Sequence, residues 1–206
     1  AEEVFQLLKG VGLARQSLQA ERGGLDLRLP EQVVVGVGGR FDLEYRAPRA
    51  AEDWNAQVSL LVGECAARIM LGAGVGVLRT LPPPSEQTVD RLRRHARALG
   101  VPWSPDVGYA DFVRELDPCV ADEAALIVQS ATLARGAGYL AFTDPPEGDV
   151  THSAVAAPYA HVTAPLRRLV DRFANEIVLA AAAGGAPPEW AVEALTELPG
   201  LMGRAG

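Results

Sequence analysis

Apolar positions early in the chain, Val4, Leu7, Leu8, Val11 and Leu18, recur at helical spacing until the Gly23-Gly24 pair interrupts them. The spacing predicts one amphipathic helix. Leu25, Leu27 and Leu29 then alternate with Asp26 and Arg28, Val33 to Val37 follows, and Phe41, Leu43 and Tyr45 alternate with polar neighbours beyond a Gly38-Gly39 turn. Alternation of period two sends every second side chain to one face, so this region reads as an antiparallel meander of two or three strands. Trp54, Val58, Leu61, Val62, Cys65 and Ile69 return to helical spacing over 53–71. Asp53 is placed to cap that helix, and glycines at 72, 74 and 76 stop it.

Val75 to Leu78 fits a short buried strand. Pro82-Pro83-Pro84 then leads into a helix capped by Ser85 and running to about Leu99, with Arg91, Arg93, Arg94 and Arg97 on its outer face. Two further helices are expected over Tyr109 to Leu116 and Asp122 to Arg135, the second broken by Gly136-Ala137-Gly138. A loop follows from Thr143 to Thr151, then a small-residue strand at Ala154 to Ala157, a helix from Thr163 to about Ala183, and a last short helix opened by Pro187-Pro188. Gly200 to Gly206 reads as a frayed end. The expected class is α+β, with antiparallel strands near the N-terminus and a mainly helical remainder.

Composition narrows the chemistry. With 206 residues and 49% hydrophobic content the chain can bury a substantial core. Its net charge of −7 argues against a protein that coats nucleic acid electrostatically, because phosphate binding draws on clustered Lys and Arg. Any polyanion must meet a local patch, and since Lys9 is the only lysine, that patch must be built of guanidinium forks. No uncharged apolar run of about 18 residues occurs, and Ala1-Glu2-Glu3 is acidic where a signal peptide is basic. No membrane partner is expected, and the expected location is cytoplasmic. Cys65 and Cys119 supply neither a disulfide framework nor metal spacing.

The segment from Ala157 to Asp171 concentrates the chemistry. Thr163 suits an N-cap and Pro165 a first helical turn, which would place Arg167 and Arg168 beside the positive end of a helix dipole. An anion should compensate there, and free helix N–H groups with bidentate guanidinium forks suit a phosphodiester. Asp171 falls at helical distance from both arginines and can pair with one. The other is then left for a different partner.

This segment, Tyr159-Ala-His161-Val-Thr163-Ala-Pro165-Leu-Arg167-Arg168-Leu-Val-Asp171, resembles a tract of the RNB exoribonucleases, the ribonuclease II and R type. That family tract has the form Tyr-x-His-[Phe/Trp]-[Thr/Ser]-Ser-Pro-Ile-Arg-Arg-Tyr-x-Asp. Upstream, Glu21 to Glu31 resembles the family's Arg-Gly-Ala-Leu-Asp-Leu-x-x-Pro-Glu, and Val77-Leu78-Arg79 resembles its Leu-Tyr-Arg-x-His-x-x-Pro. The resemblance covers roughly residues 1 to 183 and implies that 1–206 is a single partial RNB-like domain. A complete domain of this kind would hydrolyse single-stranded RNA processively from its 3′ end with a divalent metal, expected to be Mg2+. Arg167 matches the catalytic-pocket arginine. Arg168, Thr163, Tyr159, His161, Arg79 and Gln57 are implied as RNA- or phosphate-binding neighbours, His161 more as a hydrogen-bonded strut than as an acid.

The chain also departs from the pattern. The family's metal-binding Asp cluster precedes the first matching motif and has no counterpart here, so no metal is expected to bind this chain alone; the N-terminal half of the same domain is an expected partner. Ala56-Gln57 and Val62-Gly63 replace the family's Glu-Glu and Ala-Asn, and Leu81 replaces a histidine. A non-catalytic RNA-binding module or a pseudoenzyme would carry such changes too.

Overall fold

A computed structural model describes residues 2–27, 29, 31–46 and 48–204, and of 37 and 45 the backbone alone. The chain forms two compact units, one from residues 1–55 and 84–135 and the other from 56–83 and 136–206.

The first unit holds α1 (Glu2–Glu21), β1 (Glu31–Val37), β2 (Arg40–Arg46), the start of α2 (Ala50–Ala73), α3 (Glu86–Ala98), α4 (Tyr109–Glu115) and α5 (Ala121–Ser130) with a 3-10 turn at Ala131–Ala134. Strands β1 and β2 pair antiparallel from Glu31↔Arg46 to Val37↔Arg40. Gly38 and Gly39, at φ 59° and 78°, form the two-residue turn between them, a conformation glycine adopts without steric cost. The meander has two strands: Leu25 to Leu27 and Leu29 are irregular, and Arg28 lies outside the described residues. Helix α2 begins at Ala50, so Asp53 lies inside its first turn instead of capping it. Glu52 takes that role, accepting the Arg49 N–H at 2.7 Å and the Arg46 guanidinium at 2.9 Å. Ser85 caps α3 as expected, its Oγ accepting the Thr88 N–H at 3.3 Å. Within this unit Trp103 stacks on Phe112 at 4.0 Å and Arg93 covers the indole at 4.2 Å, which takes Arg93 out of the exposed basic face.

The second unit holds the rest of α2, β3 (Gly76–Thr80), β4 (Gly138–Phe142), α6 (Leu169–Ala182), α7 (Glu189–Glu193), a 3-10 turn at Ala194–Thr196 and α8 (Leu198–Arg204). Its core joins Ala66, Ala67 and Met70 of α2, Val77 and Leu78 of β3, Phe142 of β4, and Val170, Ala174 and Ile177 of α6. Burying each of the larger side chains contributes about 2 kcal/mol. Helix α2 is the one described helix long and apolar enough to cross a membrane by length and composition, and here it supplies three residues to this core. Strand β4 was not anticipated, since a short apolar stretch between glycines carries little periodic signal.

Two expectations outside the arginine segment are corrected in this unit. Ala154 to Ala157 is a tight turn and not a strand: the Val155 and Ala156 N–H groups both bond to the His152 carbonyl, at 3.0 and 2.8 Å. Ala156 takes a left-handed φ of 55°, which its small side chain tolerates at about 1–2 kcal/mol. Residues 200–204 are not frayed either, because α8 runs to Arg204 and Leu198 is 1% exposed against the core, while 205 and 206 lie outside the described residues.

Candidate functional site

The site of interest lies wholly in the second unit and starts from a correction. The expected helix at Thr163 begins instead at Leu169, with Arg168 in extended conformation (φ −124°, ψ 121°) as the preceding residue. The Ala164 carbonyl accepts the N–H groups of both Arg167 and Arg168, at 3.1 and 3.0 Å, closing a turn before the helix. Asp171, fully buried in the first turn of α6, accepts the Ala164 N–H at 2.7 Å and the Arg168 guanidinium through both oxygens, at 2.7 and 2.9 Å. A buried carboxylate held by three donors outcompetes a Thr cap. From α6, Arg172 bonds the Pro165 carbonyl at 2.9 Å and Asn175 the Val162 carbonyl at 3.1 Å, so the turn's polar backbone is satisfied from below.

Arg168 is therefore bound to Asp171, whereas Arg167 is exposed and makes no ion pair with a described residue. The two adjacent arginines have opposite fates. A carboxylate has room for one bidentate guanidinium, and Arg168 occupies it.

Strand pairing assembles the rest. In the β3–β4 ladder Arg79 sits opposite Tyr139, and on the other edge of β3 the Arg79 N–H bonds the Tyr159 carbonyl at 2.8 Å. Tyr139, Arg79 and Tyr159 thus form one cross-strand row. Side chains directly opposite in a ladder share a face. The Arg79 guanidinium lies 4.6 Å from the centre of the Tyr139 ring, and His161 meets both tyrosine rings edge-on, at 5.7 and 5.6 Å. Tyr139 Oη is 2.8 Å from His161 Nδ1, and His152 closes the cluster against Tyr159 at 5.7 Å. Tyr159 can occupy this position because residue 63 of α2 is glycine: a Cβ there would overlap the Tyr159 ring and lie 2.7 Å from the Ala160 carbonyl oxygen.

Burial sets the protonation states. His161 is lowered to about 4, first by burial and then by Arg168 and Arg79; His152 is lowered to about 4 by burial and by Arg79. Both imidazoles are neutral at pH 7. Burial raises Tyr139 and Tyr159, so both phenols keep their protons, and the bond to Asp171 raises Arg168. The cluster is cationic and aromatic and part-buried, with neutral hydrogen-bonding groups and no imidazolium to serve as a general acid.

Of the residues singled out by the sequence, Arg79, Tyr159, His161 and Arg168 come together. Arg167 and Thr163 are exposed on the adjoining turn, and Gln57 is 5% exposed in the second unit's stretch of α2. Tyr139 and His152 were missed, and Gly63 was named only as a departure from the family pattern. Among the described residues no three His, Cys, Asp or Glu side chains cluster, and Asp171 has both oxygens committed, so the donors present do not fit a divalent metal.

No family model matches the sequence, and no curated protein matches it. Solved structures do match. Mycoplasma genitalium RNase R in complex with ribose-methylated single-stranded RNA is 16% identical, with a TM-score of 0.71 over 95% of this chain and 31% of that one. The same enzyme in complex with double-stranded RNA is 17% identical, with a TM-score of 0.67 over 95% of this chain and 36% of that one. Yeast Ssd1, described as a pseudonuclease, is 15% identical, with a TM-score of 0.57 over 75% of this chain and 20% of that one. The chain spans about a third of the length of the RNase R structures it matches. At these identities the likeness is one of architecture, and the chain has an α+β, RNB-like fold.

Proposed function

We propose that this chain is part of a hydrolytic 3′–5′ exoribonuclease acting on single-stranded RNA, to which it contributes the arginine segment that holds the phosphate. The observation that carries the reading is the split between the neighbouring arginines: Asp171 neutralises Arg168, and Arg167 is left exposed without an ion pair among the described residues. An exposed guanidinium beside a turn, in a chain of net charge −7, is suited to a phosphate supplied from outside. Arg79, stacked on the Tyr139 ring, adds a second positive charge. The RNase R structures of similar fold hold RNA.

In this reading Arg167 contacts the phosphate and offsets the negative charge that grows as the phosphodiester is attacked. Arg168, pinned by Asp171, holds the turn that presents it. Magnesium belongs to the complete domain, whose remaining part is the expected partner; the side chains described here supply no cage for it, and no step is assigned to it. A second reading, an RNA-binding pseudoenzyme, is favoured by the likeness to Ssd1.

The test is fluorescence anisotropy of a labelled single-stranded oligoribonucleotide titrated with the chain at several salt concentrations. Affinity should fall linearly with salt on logarithmic axes, and Arg167→Ala should weaken binding about tenfold, the value of one charge-assisted phosphate contact. Absence of salt-dependent affinity sinks the proposal. In the complete domain, Arg167→Ala should reduce rate more than affinity; equal losses sink the catalytic role of Arg167.

A further inference from the structure

The two ring nitrogens of His161 have different surroundings. Nδ1 lies 2.8 Å from Tyr139 Oη. Nε2 has no hydrogen-bond partner among the described residues, and the His161 side chain is part-exposed. The direction of the Tyr139 bond then decides what Nε2 presents. A phenol O–H is a stronger acid than a neutral imidazole N–H, and an unprotonated ring nitrogen is a good acceptor, so the phenol donates and Nδ1 accepts. The ring's single proton must then sit on Nε2.

The fold holds this arrangement from several sides. Tyr139 is fixed by its place in β4 opposite Arg79, whose guanidinium covers its ring, and His161 is wedged edge-on between Tyr139 and Tyr159. The charged and titratable groups around the imidazole are Arg79 from β3, Tyr139 from β4, His152 and Tyr159 from the connecting segment, and Arg168 with Asp171 at the start of α6.

We infer that Tyr139 is a positioning residue: it fixes His161 in the Nε2–H form, so that the free N–H donates to an oxygen of an anion held beside Arg79 and Arg168. The inference rests on the proposed function only in taking that anion to be an RNA phosphate. A neutral donor adds direction where further positive charge would be costly to bury beside two arginines. It also stays unchanged across the neutral range, since the ring gains its second proton only near about 4.

The test uses the full chain labelled with nitrogen-15 and a long-range proton–nitrogen correlation spectrum at pH 7, which reports the tautomer of each histidine. His161 should be in the Nε2–H form, inorganic phosphate should shift its Nε2 signal, and Tyr139→Phe, which keeps the ring over which Arg79 stacks, should give a mixture of tautomers. Phosphate and the oligoribonucleotide should each bind that variant about fivefold more weakly, the worth of one misdirected hydrogen bond. An Nδ1–H ring in the wild type, or the same tautomer in Tyr139→Phe, overturns the inference. A silent Nε2 signal overturns the donor role, and if RNA still binds through Arg167 the RNA reading survives it. A responsive Nε2 signal with no RNA affinity does the reverse. Should Tyr139→Phe fail to fold, the wild-type tautomer and the phosphate titration decide between these outcomes.

Discussion

The protein contains two antiparallel strand pairs that differ in what covers them. In the first unit β1 and β2 place Val34, Leu43 and Phe41 on one face of a hairpin, and all three are exposed, Phe41 at 84%. In the second unit β3 and β4 are shorter, yet Val77 and Leu78 are at most 1% exposed, packed among α2 and α6. The ladder hydrogen bonds are alike in kind. Backbone pairing therefore does not separate the two; apolar burial does, and only the buried pair is rigid enough to aim Arg79 and Tyr139 at a common point.

That contrast can be broken by substitution. Leu78→Ala should cost about 3 kcal/mol, because a fully buried leucine leaves a cavity, and urea unfolding followed by circular dichroism would measure it. A loss below 1 kcal/mol would mean that the β3–β4 core is loosely packed. Gly63→Ala should cost about 2 kcal/mol, since the added methyl meets the Tyr159 ring and the Ala160 carbonyl, neither of which can move without disturbing the row. It should also reduce oligoribonucleotide affinity, which a remote packing defect would not do.

Acid should act on the same unit. His161 and His152 are lowered from 6.5 to about 4 in the folded state, so between those values the unfolded chain binds more protons. Stability is therefore full above about pH 6.5 and declines as pH falls toward about 4. The thermal midpoint should drop by on the order of a few degrees between pH 7 and pH 5, and His161→Gln should reduce that drop. The smallest effect belongs to the exposed hairpin: Leu43→Ala should change stability by no more than about 0.5 kcal/mol. A larger loss would show that the hairpin face is covered in solution.

The helices were legible where periodicity was long and capping chemistry local. Val4 to Leu18 and the segment after Ser85 became α1 and α3 close to their expected bounds. The start of α6 was misread because Thr163 and Pro165 carry a strong local cap signal, while the deciding contact is Asp171 reaching back to the Ala164 N–H and to Arg168. Arg79, Tyr159, His161 and Arg168, which the structure brings together, were named through their motif. Tyr139 was not, because its place at the site follows from being opposite Arg79, and strand register between distant segments cannot be counted off one sequence. Gly63 stood out only as a departure from the family pattern, and its reason is a ring that arrives from residue 159.

The cross-strand row of Tyr139, Arg79 and Tyr159 also bears on how the molecule acquires its site. Position 79 must find partners at 139 and 159, far along the chain, before any of the cluster exists. Closing such long loops costs entropy that no local helix recovers, so helices such as α1 and α3 form early and the row late. During synthesis position 79 leaves the ribosome well before either partner, and a chain interrupted before residue 159 would carry folded helices without the row.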